Sequence, residues 1–527
     1  MGFKDRVMNK FLEESNSFNY YKENNSKLKK TNRKYKKEIA HLKQELIMKD
    51  EELELLKKDL LLSKIELNDS KEEFIFSFVM AIYNTDKFLN EAIESIINQT
   101  FPFEKIQIIL VDDGSKDKSG EICKDFVERY PKNITYIYQE NKGQADARNN
   151  GLEYVSGKFV NFLDSDDKLE LNTLEEVYLH FIEFGDEVDI ISIPRYLFGV
   201  TEGPMYLNYK YEENRIVDIS KEYDFPITSI SASFIRRDAF DENFNTNVII
   251  SEDSLLLNKI LLKKCKFGAL GSCNYLYRKR HEQNSTIDTK KVRKEYFNIR
   301  MEQYFKDLIN RSIELYDEVI KYIQNVLMYD LRWLFEQNTE IGVLEKEESE
   351  EFYKHIHDVL QYIDDDIILS SEMNKFLKFN TLEFKNDESD FEFISESSDL
   401  LINYSGEDFD KLSNYKFTIT DLNLEKNVLS LKGFFNFYSF DDCSLIAYDN
   451  SDKVDLICTD ADIFYSIGRE TSCKRYYELK TELREKINEI HFELTHNSNG
   501  YGILVKCNPK LREKIKLDDK GIIIELD

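Results

Sequence analysis

Proline and cysteine are scarce in this 527-residue sequence, and positive charge is outnumbered by negative charge. Six prolines and 18 glycines, beside 41% hydrophobic and 13% aromatic residues, exclude a collagen-like or disordered chain. Lys and Arg total 72 against 100 Asp and Glu, which leaves a net charge of −28. Because such a charge repels polyanions, nucleic acid is not expected as a partner.

The seven cysteines are an odd number, and no two of them form a CxxC pair or stand at zinc-finger spacing from a histidine. We therefore expect free thiols, as in a reducing compartment. No uncharged apolar run approaches the roughly 18 residues that span a bilayer, and the first residues lack the apolar segment of a secretory signal. These absences predict a cytoplasmic protein.

Residues 1–72 are expected to be helical and to carry an association surface. Between residues 28 and 67 apolar residues repeat every seven positions, a pattern typical of a coiled coil, which predicts a homo-oligomer. One row of this seam consists of Ile39, Leu46, Leu53, Leu60 and Leu67. Before it, apolar residues flanked by lysines form one face of a short helix. That face either packs on the protein or makes peripheral contact with the inner face of the cell membrane.

A new pattern begins with a continuous apolar run at 74–82, which indicates a buried strand. Helical patterns then alternate with further strands near 106–111, 134–138 and 159–163. This alternation predicts an α/β domain over residues 73–290, with a parallel sheet and helices on both faces. Ligands in such folds bind beyond the carboxyl ends of the strands.

The remainder of the chain changes pattern twice. Apolar residues recur at helical spacing beyond residue 290, which predicts a helical linker over 291–372. Short segments of alternating apolar and polar residues follow, such as 415–419 and 428–432, separated by polar turns. We expect an accessory β-sandwich over residues 373–527.

Carboxylates follow two of the predicted strands. Asp164, Asp166 and Asp167 come directly after the fourth strand, and Asp112 and Asp113 end the second. Mg²⁺ and Mn²⁺ prefer such oxygen ligands and keep positions free for the phosphates of a substrate. Asp-rich turns are also common after strands, so one Asp-x-Asp motif alone is weak evidence. The agreement between turns favours a site for a metal and a diphosphate.

The segment 140–149 follows the third strand and brings an amide and a guanidinium to the same edge. Asn141 supplies the amide. Arg148 suits a diphosphate because its planar fork forms two hydrogen bonds while it neutralises charge. A surface arginine is the ordinary explanation for such a residue alone, but three turns that agree in location favour a common site.

In order and spacing these motifs resemble the inverting family 2 glycosyltransferases with the GT-A fold, over residues 74–287. The resemblance is carried by Met-Ala-Ile-Tyr-Asn at 80–84, Val-Asp-Asp-Gly-Ser at 111–115, the 143–149 segment and Asp-Ser-Asp-Asp at 164–167. It implies a Rossmann-like nucleotide-sugar domain with Mn²⁺ or Mg²⁺ as cofactor. The residues that it implies are Tyr83 and Asp113 at the base, Asn141 and Arg148 along the nucleotide, Asp164 by the ribose, and Asp166 with Asp164 at the metal.

Ser-Glu-Asp at 251–253 matches the pair of acidic residues that opens a helix under the acceptor site of this family. Inverting transfer needs a base opposite the leaving phosphate, because the acceptor hydroxyl must lose its proton. We assign this catalytic role to Asp253, with Glu252 as the competitor. Acidic residues are also favoured in the first turn of any helix for electrostatic reasons.

The segment 277–285 resembles the closing loop of the family, where basic residues and a histidine approach the diphosphate or the metal. Arg280 is therefore expected to contact the nucleotide, and His281 to ligate the metal. An ordinary loop histidine explains His281 equally well.

The resulting hypothesis is a metal-dependent inverting hexosyltransferase of cell-wall polysaccharide biosynthesis. It would move a sugar from a nucleotide-diphosphate donor, UDP foremost, to a hydroxyl of a surface glycan or a teichoic-acid-like polyol-phosphate polymer. The polymer acceptor rests on a domain layout similar to that of wall teichoic acid β-N-acetylglucosaminyltransferases. The alternative is a non-catalytic nucleotide-binding scaffold that organises glycan-assembly enzymes.

Overall fold

The computed structural model describes residues 41, 49, 56, 59–280, 294–336, 343–386, 390–396, 399–438, 443–466, 469–496, 499–507, 516–517 and 521–525. Most of the predicted coiled coil, the amphipathic start and His281 lie outside these residues. All seven cysteines lie within them, and no disulfide joins any two of them. Among the helices described, none is long and apolar enough to cross a membrane.

Four parallel strands form the first half of the main sheet, in the order β3-β2-β1-β4. They are β1 (Phe76–Ile82), β2 (Ile106–Asp113), β3 (Ile134–Gln139) and β4 (Phe159–Asn161). Every residue of β1 except Ala81 is buried, as the continuous apolar run predicts. The carboxyl ends of these strands therefore meet at one edge, where the predicted motifs lie.

The sheet continues with β10, β6, β11 and β9, and it is mixed where the sequence predicted it parallel. These strands are β6 (Ile190–Ser192), β9 (Arg215–Asp218), β10 (Ser233–Arg236) and β11 (Lys266–Ala269). Strand β10 is antiparallel to both β4 and β6. No α-helix lies between Ser192 and Ser233, a fully described stretch, so the chain lacks the crossover that a parallel strand needs.

Helices cover both faces of this sheet, as predicted. They are α1 (Leu89–Ile97), α2 (Ser119–Arg129), α3 (Gln144–Leu152), α4 (Thr173–Phe184) and α5 (Glu252–Leu261). Phe78 and Met80 of β1 share an apolar cluster with α1, α2 and α4, whereas Val79 faces the cluster that contains α3 and α5. Successive side chains of a strand point to opposite faces, so one short strand supplies both cores.

A second, smaller sheet borders the carboxylates that follow β4. Its order is β5 (Lys168–Leu169), β12 (Tyr275–Lys279), β7 (Arg195–Gly199) and β8 (Gly203–Pro204). Strand β5 begins directly after Asp167, and β12 pairs with both β5 and β7. This sheet therefore forms one wall of the candidate site.

The helical segment of residues 59–69 lies against the α/β domain. Leu61 and Ile65 are buried in the cluster that also contains α4. Asp69 accepts from Lys158 Nζ at 2.7 Å and from the Tyr178 hydroxyl at 2.9 Å. The opposite face carries the predicted seam, with Leu60 54% and Leu67 83% exposed.

Helices occupy the region predicted as a linker. They are α6 (Lys294–Arg300), α7 (Lys306–Tyr316), α8 (Lys321–Phe335), α9 (Lys346–Leu360), α10 (Asp365–Ser370) and α11 (Lys375–Lys385), with a π-helical turn at Met301–Phe305. Helix α11 begins beyond residue 372 because Asn374 caps it, accepting from the Leu377 N–H at 3.0 Å. The first strand of the following region therefore starts later than the sequence indicates, at Phe391.

The C-terminal region is rich in β-strands, as predicted. A smaller sheet contains β13 (Phe391–Glu396), β14 (Asp399–Tyr404) and β15 (Glu407–Lys411). A larger sheet contains β16 (Lys416–Glu425), β17 (Val428–Phe437), β18 (Cys443–Asp449), β19 (Asp452–Val454), β20 (Leu456–Ser466), β21 (Arg469–Glu482), β22 (Ile487–His496), β23 (Asn499–Cys507), β24 (Lys516–Leu517) and β25 (Gly521–Glu525). Their packing as a sandwich stays a prediction.

Candidate active site

The loops that follow β1 and β2 are joined to each other. The Asn84 N–H donates to Ser115 Oγ at 3.1 Å, and Asn84 Oδ1 accepts from the Lys116 N–H at 2.8 Å. These bonds hold Asn84 at a φ of 53°, in the left-handed region. Tyr83 precedes it and is 48% exposed, so its ring is accessible for the base contact that the sequence predicts.

Asp113 organises the loop that follows β3. Its Oδ1 accepts from Gln139 Nε2 at 2.8 Å and from the Lys142 N–H at 2.9 Å, while Oδ2 accepts from the Gly143 N–H at 2.9 Å. Gly143 has a φ of 99°, which favours glycine at this turn. Asn141 is exposed on the same loop. Contacts of Asp113 and Asn141 with a nucleotide stay predictions.

Arg148 is buried between the two acidic motifs of the site. Its Nη1 donates to Glu252 Oε1 at 2.9 Å, and its Nη2 donates to Asp164 Oδ1 at 3.0 Å. Asp164 Oδ1 also accepts from Gln144 Nε2 at 3.0 Å. The guanidinium is 4% exposed, so both of its terminal nitrogens serve these carboxylates. Its predicted contact with the nucleotide stays a prediction.

The three carboxylates after β4 have different surroundings. Asp167 is buried and accepts from the Tyr275 hydroxyl and from the Arg278 N–H, both at 2.7 Å, so it attaches β12 to the main sheet. Asp166 forms an ion pair with Arg280. Burial and the charges of Asp166 and Asp164 raise the pKa of Asp167 well above its usual value. Asp166 and Asp164 are therefore the two that a ligand can reach.

A divalent cation fits these two carboxylates. In the part of the chain that the structure describes, no group of three or more His, Cys, Asp or Glu side chains could hold a metal by itself. Asp164 and Asp166 nevertheless offer partly exposed oxygen ligands, which Mg²⁺ and Mn²⁺ prefer. Burial raises the pKa of Asp166 although Arg280 contacts it, so additional positive charge would be favoured there. Phosphates of a substrate would complete such a site.

Glu252 and Asp253 open α5 and differ in exposure. Glu252 is buried, and burial followed by the charge of Asp253 raises its pKa to about 8, with Arg148 opposing the shift. Asp253 is half-buried and accepts from the Ser254 N–H at 2.8 Å. Burial also raises the pKa of Asp253. The more accessible carboxylate is thus that of Asp253, which the sequence assigns as the base.

The helical region supports the start of α5 through residues that the sequence analysis missed. Arg300 is buried and donates to Ser251 Oγ from Nη2 at 3.0 Å, and it forms an ion pair with Asp330 at 3.3 Å. The Tyr304 hydroxyl contacts Asp330 and lies 3.0 Å from Ser254 Oγ. The signal in the sequence is the position of Arg300, which falls at helical spacing on the apolar stripe that contains Phe297 and Tyr304.

The sequence of this chain matches a known protein family and several known proteins. Residues 77–244 match the family described as Glycosyl transferase family 2. The chain is 36% identical to "Minor teichoic acid biosynthesis protein GgaB" of Bacillus subtilis (strain 168) over 70% of this chain and 42% of that protein. It is 33% identical to "Minor teichoic acid biosynthesis protein GgaA" of the same organism, over 68% of this chain and 80% of GgaA.

The chain therefore belongs to glycosyl transferase family 2, and its α/β domain has the GT-A fold. It is an enzyme of the glycosyltransferase class, as the motifs predicted. It spans less than half the length of GgaB. The crystal structure of S. aureus TarS covers 86% of this chain, and this chain covers 85% of TarS, at 16% identity with a TM-score of 0.48.

Proposed function

We propose that this chain transfers a sugar, with inversion, from a UDP-sugar to a hydroxyl of a teichoic-acid-like polyol-phosphate polymer. The observation that carries the proposal is the Arg148 bridge, because one guanidinium joins the acidic start of α5 to Asp164. The Arg148 side chain thereby holds the helix start that carries the candidate base next to the sheet edge at which the diphosphate would bind. The names of GgaA and GgaB support the polymer as acceptor class.

Asp253 would take the proton of the acceptor hydroxyl as that oxygen attacks the anomeric carbon. Its raised pKa suits this role, since a base works best when its pKa approaches the working pH. On the donor side, Tyr83 would pack on the base. Arg280 lies beside Asp166, where it can neutralise charge on the diphosphate.

A divalent cation, when bound by Asp166 and Asp164, would supply further neutralising charge at the leaving diphosphate. His281 stays a proposed third ligand, because it lies outside the described residues. Arg148 would hold the side chains of Glu252 and Asp164 in fixed positions. The acidic start of α5 would thereby stay on the acceptor side, and Asp164 would stay on the donor side. In this proposal Glu252 positions the site and Asp253 performs the proton transfer.

Two further parts of the proposal concern assembly and location. The exposed Leu60 and Leu67 support a homo-oligomer formed through the N-terminal helix, because both continue the predicted seam. Seven cysteines without a disulfide among them suit the reducing cytoplasm, and the N-terminal segment would make any peripheral contact with the membrane. A non-catalytic scaffold finds no supporting observation, since the site retains its reactive carboxylates.

The test is release of nucleoside diphosphate by the full chain from a panel of UDP-sugars and other nucleotide sugars. Each donor is assayed with a polyol-phosphate oligomer, with a neutral glycan and with no acceptor, in the presence and absence of Mn²⁺. NMR of the product reports the anomeric configuration. A product with retained configuration, or transfer only to neutral glycans, would contradict the proposal.

A further inference from the structure

A pocket that is partly open to solvent lies beside the small sheet. Its walls come from β7, from the 3₁₀ helix Tyr206–Tyr211, from the segment 226–232 and from α8 of the helical region. The polar groups that line it include Arg195, Tyr206, Asn208, Ser229 and Tyr329. None of these residues belongs to the motifs that identify the family.

Arg195 is the charged residue of this lining. Asn208 Nδ2 and the Met205 N–H donate to its backbone carbonyl at 2.8 and 3.1 Å, so its backbone position is held. Its half-buried guanidinium makes no ion pair or hydrogen bond to any residue that the structure describes. The arginines of the neighbouring site differ, since Arg148 and Arg280 both pair with carboxylates. Arg195 thus offers donors and a positive charge to a ligand.

The cavity adjoins the candidate active site through strand pairing. Strands β7 and β12 are parallel, and Arg195 stands directly opposite Tyr275. Side chains at such paired positions share one face of a sheet, about 4.8 Å apart in the direction across the strands. The Tyr275 hydroxyl donates to Asp167 and lies 3.4 Å from Asp164 Oδ2. Arg195 and the tyrosine that contacts these carboxylates therefore stand on neighbouring strands of the small sheet.

In a chain with this large negative charge, an arginine without a pairing carboxylate is a candidate binding site for an anion. With a net charge of −28 the protein repels a polyanionic acceptor, so any productive contact needs a local cation. Arginine matches phosphate oxygens because its fork donates two parallel hydrogen bonds. Tyr206 and Tyr209, whose rings lie 6.0 Å apart, are exposed at the 3₁₀ helix and offer apolar surface to the carbon chain of a polyol.

We propose that the Arg195 cavity is an acceptor subsite that binds one phosphodiester group of the polymer. This inference rests on the proposed function and names the acceptor chemistry that it requires. In this proposal a phosphodiester held by Arg195 anchors the polymer, and a neighbouring polyol unit supplies the hydroxyl that is glycosylated. Tyr329 of α8 lines the same cavity, so the helical region takes part in acceptor binding as well as in supporting α5.

The test compares two acceptors and four variants of the full chain. The acceptors are a glycerol-phosphate oligomer and the same oligomer with methylated, uncharged phosphates. The variants are Arg195→Ala, Arg195→Gln, Arg195→Lys and the control Arg129→Ala, which removes an exposed arginine of α2. Initial rates of UDP release give kcat and KM, oligomer binding is measured by calorimetry, and melting temperatures confirm folding.

We expect wild type to prefer the charged oligomer by about tenfold or more in kcat/KM, as loss of a charged hydrogen bond implies. Arg195→Ala and Arg195→Gln should lose this preference through KM, with unchanged donor hydrolysis in the absence of acceptor. Arg195→Lys should retain part of it, and Arg129→Ala should behave as wild type. Unchanged KM in both neutral variants overturns the subsite, and so does equal use of the two oligomers by wild type.

The outcomes separate the subsite from the proposed function. If the wild type hydrolyses a donor but does not bind the charged oligomer, the subsite and the polymer as acceptor are both overturned. The assignment of the chain as a glycosyltransferase then still stands. If no donor is used at all, the proposed function fails, and calorimetry still decides the subsite. Binding of the charged oligomer that depends on Arg195 supports it, and binding that does not depend on Arg195 overturns it.

Discussion

Arg148 Nη1 donates to Glu252 Oε1 at 2.9 Å, although 104 residues separate the two in sequence. The same guanidinium donates to Asp164, so a single buried cation serves both acidic motifs. Removing a partner of a buried ion pair leaves an uncompensated charge, which costs far more than the pair itself contributes. The stability of the fold and the geometry of the candidate active site therefore depend on the same buried arginine.

Replacing Arg148 by Met should lower the free energy of unfolding by about 3–5 kcal/mol, because Glu252 and Asp164 lose their shared counter-charge. Urea unfolding at pH 9, above the pKa of about 8 that Glu252 has in the folded wild type, measures the effect. The double variant Arg148→Met with Glu252→Gln should recover part of the loss, since it removes one of the two stranded charges. Strictly additive losses would show that the two residues are not coupled.

The stability of wild type should fall relative to Glu252→Gln as the pH rises from 5 to 8. Burial and the charge of Asp253 raise the pKa of Glu252 from its ordinary 4.5 to about 8. Between these values the folded state keeps a proton that the unfolded state has lost, so unfolding becomes easier with rising pH. The difference in slope can reach about 1.4 kcal/mol per pH unit. Equal slopes for the two proteins would contradict the raised pKa.

Asp253→Asn should reduce transfer by roughly 10²–10⁴, the usual contribution of a general base, while UDP affinity stays unchanged. The substitution keeps shape and volume, but an amide cannot accept the proton. Glu252→Gln is the matched variant and should be milder, because Glu252 is buried against Arg148. A collapse confined to Glu252→Gln would move the role one residue upstream.

Chelation should abolish turnover, and Asp166→Ala should do nearly the same with an intact fold. The ion pair of Asp166 with Arg280 is partly exposed, and loss of one carboxylate relieves repulsion from Asp164. The melting temperature without metal should therefore hold or rise slightly. Asn141→Ala is a control from a neighbouring loop that should leave the metal response unchanged. Full activity in excess chelator would refute the metal assignment.

Charged substitutions on the exposed seam should dissociate the oligomer. Leu60→Lys combined with Leu67→Lys places charge at two seam positions, and light scattering should show a lower mass. Leu62→Lys is the matched control, because Leu62 is exposed on the same helix but off the seam. Donor hydrolysis should persist in each variant, since the buried face with Leu61 and Ile65 is untouched. An unchanged mass would place the association elsewhere or exclude it.

The sequence by itself determined the α/β domain and the position of its motifs. Strand β1 is recognisable because burial on both faces demands a continuous apolar run, and it ends within one residue of Tyr83 as expected. Parallel neighbours bring their carboxyl ends to one edge, so the turns after β2, β3 and β4 could be grouped without coordinates. The acidic start of α5 was assigned through the resemblance to the family, because acidic residues open many helices and the local residues alone do not mark a base.

Only the tertiary structure decided how the charges of the site are shared. Asp164 and Asp167 come from one motif, yet one accepts from Arg148 and the other from Tyr275, 108 residues further on. The support that Arg300 gives to Ser251, and the absence of a described partner for Arg195, likewise follow from contacts between distant segments. Hydrogen bonds and burial act over a few ångströms of space, whereas sequence patterns report periodicity along the chain. For that reason the residue types of the site were predictable and their pairing was not.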